Sequence, residues 1–210
     1  MPVASSSKHT LSSPQPHPQR QPRKEKAWVD PTALPDDLDV DVALIGGSAP
    51  EYVKQLVCNT FYSYGVGEPD VFGYAVGRAT RFVEMSVEPA PDRAGKMEAT
   101  TVAEVTVTKH MLNGAGMLHG ATLTYLVDNC ASTPLVVLGL MTGTNGVGVT
   151  QGMNVLFHAP APLGTILRVT STSISMGGRV MAARCEITDK VSGRVVASAF
   201  LNKMQPKAKL

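Results

Sequence analysis

The chain has 210 residues, 43% of them hydrophobic, and a formal net charge of +2. That is enough apolar material for one core-bearing domain with a tail, and too little charge to argue for nucleic acid or an acidic partner. Three cysteines, Cys58, Cys130 and Cys185, form no CxxC pair and no ligand spacing, so they read as buried thiols in a reducing compartment and no metal is expected.

Residues 1 to about 35 differ in kind from the rest of the chain. Ser5, Ser6, Ser7, Ser12 and Ser13 alternate with Pro14, Pro16, Pro18 and Pro22 and with Arg20, Arg23, Lys24 and Lys26, a composition that cannot bury a core and reads as a disordered tail. With no acid before Glu25 it is similar in composition to an organelle transit peptide, yet its prolines oppose the amphipathic helix such a peptide needs. No signal-peptide core appears, so the expected location is cytoplasmic or mitochondrial and not secreted. Asp36, Asp37, Asp39 and Asp41 make an acidic linker. The resulting division is a low-complexity extension over 1–48, a domain over 49–206 and a short tail over 207–210.

From Pro50 to Tyr64, Tyr52, Val53, Leu56, Val57, Thr60 and Phe61 recur at helical spacing and predict an amphipathic helix. Strands are predicted over 79–88 and 97–108, joined by the Pro89, Pro91 and Gly95 turn as a hairpin. Four more are predicted over 148–157, 165–175, 180–188 and 195–201, separated by Pro160 to Gly164, by Gly177 and Gly178, and by Asp189 to Gly193.

Between the two groups lies the stretch that organises the chain. Asn113 to Leu118 is a glycine-rich loop, and from His119 onward an apolar run without Gly after Gly120 and without Pro until Pro134 predicts a helix. Pro134 is expected to kink it about four turns in. Residues 129–167 carry no Asp, Glu, Lys or Arg, but Pro134 and the turn at 142–146 interrupt the run before it reaches about 20 apolar residues, so a core helix is predicted in place of a membrane span. One long helix with about six strands in hairpins predicts an α+β fold, a curved antiparallel sheet wrapped around the helix.

The helix start carries chemistry. The Gly120 N–H has no partner inside the helix and lies at the positive end of its dipole, suited to a carbonyl oxygen or an oxyanion. Asp128 is flanked by Leu123, Tyr125, Leu126, Val127, Cys130 and Ala131, where desolvation would raise its pKa toward general-base range. The two cannot meet within one chain: His119 and Asp128 are nine residues apart, on opposite sides of the helix and separated by roughly 13 Å of rise. A shared site therefore requires a second, antiparallel copy of the helix and a twofold dimer.

Asn113-x5-His119-Gly120, together with the later Leu126-Val127-Asp128-Asn129, resembles the hotdog-fold acyl-CoA thioesterases, in particular the small single-domain branch related to phenylacetyl-CoA thioesterase and thioesterase superfamily member two. Gly152-Met153-Asn154 and Ala159-Pro160-Ala161 add to the resemblance, which covers roughly residues 50 to 205. It implies hydrolysis of a fatty or aryl acyl-CoA to free acid and coenzyme A, with no cofactor beyond the coenzyme A of the substrate. Gly120, assisted by Asn113, would polarise the thioester carbonyl. Asp128 of the facing subunit would act as general base or as nucleophile. Thr150 stands where the branch often has a water-orienting serine, and His119 would support the loop. Phe157, His158, Ala159, Pro160 and Ala161, with Ser175, Met176, Gly177, Gly178, Arg179 and Val180, match stretches that line coenzyme A, and Arg179 and Lys203 would meet its phosphates. The resemblance further implies a homodimer joined through edge strands, commonly paired into a tetramer, with an acyl pocket at the dimer interface lined by Tyr62, Leu126, Pro134 and Leu138. Ala121 replaces a second glycine of the pattern. Two other readings use the same residues: a 3-hydroxyacyl thioester dehydratase, and an acyl-CoA-binding sensor without turnover.

Overall fold

The computed structural model describes residues 29–36, 39–177 and 179–205. The tail composition of residues 1–28, the end segment 207–210, Asp37 and Gly178 lie outside the described residues. Six strands, β1 (Arg81–Pro89), β2 (Met97–Thr106), β3 (Val149–Phe157), β4 (Ile166–Met176), β5 (Val180–Asp189) and β6 (Val195–Met204), form one antiparallel sheet in the order β1-β2-β4-β5-β6-β3. Every predicted strand is present within one to three residues of its expected ends. Alternation explains this: β5 buries Met181, Ala183, Cys185 and Ile187 on one face, as period-2 patterning requires.

The predicted N-terminal helix is α1 (Glu51–Thr60), continued by a turn of π-helix over Phe61–Val66. It buries Val53, Val57 and Phe61, whereas Tyr52 stays exposed. A short α2 (Tyr74–Ala79) was not readable, since it opens on Gly73 and contains Gly77 in only six residues.

The central helix is two helices, α3 (Gly120–Cys130) and α4 (Thr133–Thr142). Pro134 begins the second helix where a kink within one was expected. A proline there cannot donate to the Cys130 carbonyl, and the Thr133 hydroxyl donates to it at 2.7 Å instead. Gly143, at φ 69°, ends α4 in the left-handed region that favours glycine. Residues Gly120–Thr142 together are long and apolar enough to span a membrane by length and composition, but 67% of their apolar 18-residue window is buried inside the fold. α4 packs on β2 and β4, with α1 against its other side. Tyr62, Leu126, Pro134 and Leu138 are all buried in this core, and Tyr62 also borders a surface groove with Tyr64, Val66 and Arg78.

The described part of the extension lies on the domain. Gly46 pairs with β1, donating to Val83 and accepting from Met85, and Lys54 Nζ donates to the Ile45 carbonyl at 2.6 Å.

Candidate active site

At the N-terminal end of α3 the glycine-rich loop is closed by one side chain. Asn113 Oδ1 accepts from the Ala115 N–H at 2.9 Å and the Met117 N–H at 3.2 Å, and its backbone N–H donates to the Met117 carbonyl at 2.7 Å. The loop is tied down by Leu118 N–H to the Ala161 carbonyl and His119 N–H to the Met111 carbonyl, both 2.8 Å. His119 caps the helix: its Nδ1 accepts from the Ala121 N–H at 2.9 Å, which places the ring proton on Nε2. The Thr122 and Leu123 N–H groups both reach the His119 carbonyl. Among the described residues the Gly120 N–H alone of this first turn has no acceptor, and the Asn113 amide N–H groups also have none. The exposed Phe157 ring faces Gly120, close enough that an added Cβ would meet it at 3.5 Å.

Asp128, at the other end of α3, has polar company that the neighbouring sequence hid. The apolar residues beside it point into the core, while Asp128 itself is half-buried, and Thr150 Oγ1 donates to its Oδ1 at 2.6 Å. Ser132, one turn on, donates to the Asp128 carbonyl at 2.5 Å and accepts from Lys203 Nζ at 2.7 Å. Register explains the meeting, because Thr150 and Lys203 are partners across β3 and β6. A bulge at Gln151 re-aims the strand beside Thr150. Lys203, expected at a phosphate, lines the same cavity as Asp128, where burial pushes its ammonium down from 10.5 and the Asp128 charge opposes part of that shift. Ser132 is the residue sequence reasoning missed, although its place four residues after Asp128 is the signal of a shared helix face.

A cavity of about 460 Å³ opens at Asp128, bounded by Thr150, Lys203, Ser132, Phe61, Tyr64 and Val136 among others. A separate groove of the same volume runs beside His119 along Phe72 and Tyr125, and the two have no lining residue in common. Burial pushes the Tyr125 hydroxyl up to about 12, and this hydroxyl donates to the Gly65 carbonyl.

The stretches expected at coenzyme A divide in the same way. Phe157 to Ala161 lie at the Gly120 end: the His158 and Ala159 N–H groups donate to Val196, and Ala161 binds Leu118. His158 Nε2 also pairs with Ser198 Oγ, and the Pro160 carbonyl accepts from Arg194. Ser175, Met176, Gly177, Arg179 and Val180 form the β4–β5 turn, and Val180 opposes Met204 next to Lys203, at the Asp128 end. Arg179 is exposed. The two stretches lie near opposite ends of the nine-residue β3, roughly 25 Å apart. Among the described residues no three His, Cys, Asp or Glu side chains gather as a metal site, and none of the three buried cysteines is in a disulfide.

Residues 115–196 match the family model described as "Thioesterase superfamily". Over 96 residues the chain is 29% identical to acyl-coenzyme A thioesterase 13 of Homo sapiens and 27% identical to that of Mus musculus, an alignment covering 46% of this chain and 66% of each relative. The solved structure of zebrafish thioesterase superfamily member 2 superposes with a TM-score of 0.56 at 22% identity, covering 72% of this chain and 96% of that one. Its Mus musculus counterpart gives 0.54 over the same shares. The chain has a hotdog fold, and its residues 115–196 are similar to the thioesterase superfamily. In this hotdog domain the helix inside the sheet is α3 with α4, and Gly120 and Asp128 occupy the two ends of α3.

Proposed function

We propose that the chain hydrolyses acyl-CoA thioesters at two equivalent sites shared across a twofold dimer. The observation that carries the reading is the 2.6 Å hydrogen bond from Thr150 to Asp128 inside a cavity. It holds one carboxylate oxygen and leaves the other for a water molecule, which the Thr150 oxygen is also placed to accept from. The Gly120 N–H and the Asn113 amide of the facing subunit would receive the thioester carbonyl oxygen. Water attacks the carbonyl carbon as its proton passes to Asp128. The tetrahedral intermediate then expels coenzyme A as its thiolate, and Asp128 returns the proton to sulfur. No step draws on a cofactor.

Three features support the dimer. His119, the cap of the Gly120 end, and Asp128 border separate spaces, the coenzyme A stretches split the same way, and β3 is an edge strand with Val149, Leu156 and Phe157 exposed. Such an edge invites a second copy. The acyl-CoA thioesterase relatives support the same substrate class.

The test is thiol release from a panel of fatty and phenylacetyl-CoAs by wild type and Asp128→Asn. A loss of roughly 100-fold or more in kcat is expected, the range for removing a general base. Undiminished turnover in the variant would remove Asp128 from the chemistry. Enoyl product would point to the dehydratase reading, and tight binding without thiol release to the sensor.

A further inference from the structure

The Asp128 cavity has a direction. Its charged lining groups are Asp128 and Lys203, both at one end, with Lys203 held there by Ser132. Beyond them the walls are mainly Val57, Phe61, Tyr64, Val136 and Val147, and the Thr60 and Thr133 hydroxyls among them already donate to the Leu56 and Cys130 carbonyls. Val136 is eight residues past Asp128, so this apolar part extends roughly 12 Å along the helices. It offers no further cation for a phosphate, and hydrocarbon is what such a lining accepts.

Toward the far end the wall includes a residue from outside the segment that the family model matches. Val29 is half-buried in the cavity wall, and its carbonyl accepts from Asn145 Nδ2 at 2.8 Å. Asn145 belongs to the turn after α4, and its Oδ1 accepts from the Val147 N–H at 2.9 Å, so one side chain ties Val29 to the cavity floor. Pro31 is buried two residues on, and Asp30 caps the short helical turn Pro31–Ala33 by accepting from the Thr32 N–H at 2.9 Å. The strap from Val29 to Ala33 is therefore anchored at two points, the Val29 carbonyl and the buried Pro31, and stiffened by its own Asp30 cap.

We infer that Val29 is a specificity-determining residue: it stops the acyl chain at the end remote from Asp128 and sets the longest aliphatic acyl group the site takes. The inference rests on the hydrolase reading for its substrate and on the cavity for its geometry. Enlarging the side chain shortens the accepted chain, and removing it lengthens the chain.

The experiment measures kcat/KM for straight-chain acyl-CoAs of increasing length with wild type, Val29→Trp and Val29→Gly, and the affinity of free fatty acids of the same lengths by calorimetry. Val29→Trp is expected to lower kcat/KM for the longest chains about tenfold or more while the shortest change by less than about twofold, and Val29→Gly to move the optimum to longer chains. Position 29 is half-buried at the domain edge. Unchanged melting temperatures show that the variants fold. Active enzyme whose chain-length profile is the same in all three proteins, or shifts uniformly at every length, overturns the role of Val29 and leaves the hydrolase reading intact. Fatty-acid binding whose length limit moves with Val29→Trp in a protein that releases no thiol supports the cavity assignment and sinks the hydrolase reading. Binding and turnover both absent overturn both.

Discussion

The two ends of α3 are built by different means. At the Gly120 end, the side-chain hydrogen bonds of Asn113 and His119 span two to four residues, so the loop and the cap are written in consecutive sequence. At the Asp128 end, Thr150 arrives across 22 residues, and Lys203 reaches Ser132 across 71. A local end can be recognised as a motif. A non-local end can be recognised only by its one local residue, and its electrostatics depend on strands that the helix sequence does not mention.

The largest effect that tests this comparison is Gly120→Pro. Proline is tolerated at the first helical position, and His119 already has the extended backbone that precedes a proline, so the substitution deletes the N–H while sparing the fold. Turnover should fall roughly 100- to 1,000-fold, with melting close to wild type. Mixing Gly120→Pro with Asp128→Asn subunits should restore about a quarter of wild-type sites if each site draws on both protomers, since half the dimers are hybrids with one intact site. No recovery on mixing would place both ends in one protomer's chemistry.

Thr150→Val comes next. It removes a hydrogen bond to a carboxylate, worth about 1.5–3 kcal/mol, so kcat should drop roughly 10- to 100-fold with KM little changed. An equal change in KM alone would mean that Thr150 binds substrate and does not orient the base.

Lys203→Met should have the smallest effect on turnover, up to about fivefold, because its ammonium bonds Ser132 and makes no hydrogen bond to the carboxylate. Its signature is in stability. Burial lowers the Lys203 pKa below 10.5, so the folded chain loses this proton at lower pH than the unfolded chain, and the contribution of this group to stability rises as pH approaches 10.5. Urea unfolding from neutral pH upward should show wild type gaining on Lys203→Met along that range. Tyr125 titrates in the opposite sense toward 12 in both proteins and cancels in the difference.

Much of the fold was legible because strands bury alternate residues and turns use Gly, Pro, Asn and Asp. All six strands follow from those two rules. The short α2 did not, since six residues with an internal glycine show no period. The broken helix was half legible: Pro134 announced an interruption, but the hydroxyls of Thr133 and Ser132 decide how the freed carbonyls are satisfied. The residues expected to line the acyl pocket are absent from the wall of the Asp128 cavity for a related reason. Helical spacing shows that Leu126, Pro134 and Leu138 are apolar, yet apolar faces in a hotdog domain meet the sheet as readily as a cavity, and these meet the protomer core. The wall falls instead to Val57, Phe61, Tyr64 and Val136.

By itself the sequence determined the strand set, the helix start at Gly120, the loop that Asn113 closes, and the separation of Gly120 from Asp128, because each depends on neighbours along the chain or on the pitch of a helix. Only the tertiary structure decided that Thr150 touches Asp128, that Lys203 reaches Ser132 in the Asp128 cavity, and that Val29 reaches the cavity. Those contacts depend on which strands pair, in which register and where a bulge falls, and sheet register is a property of the packed whole.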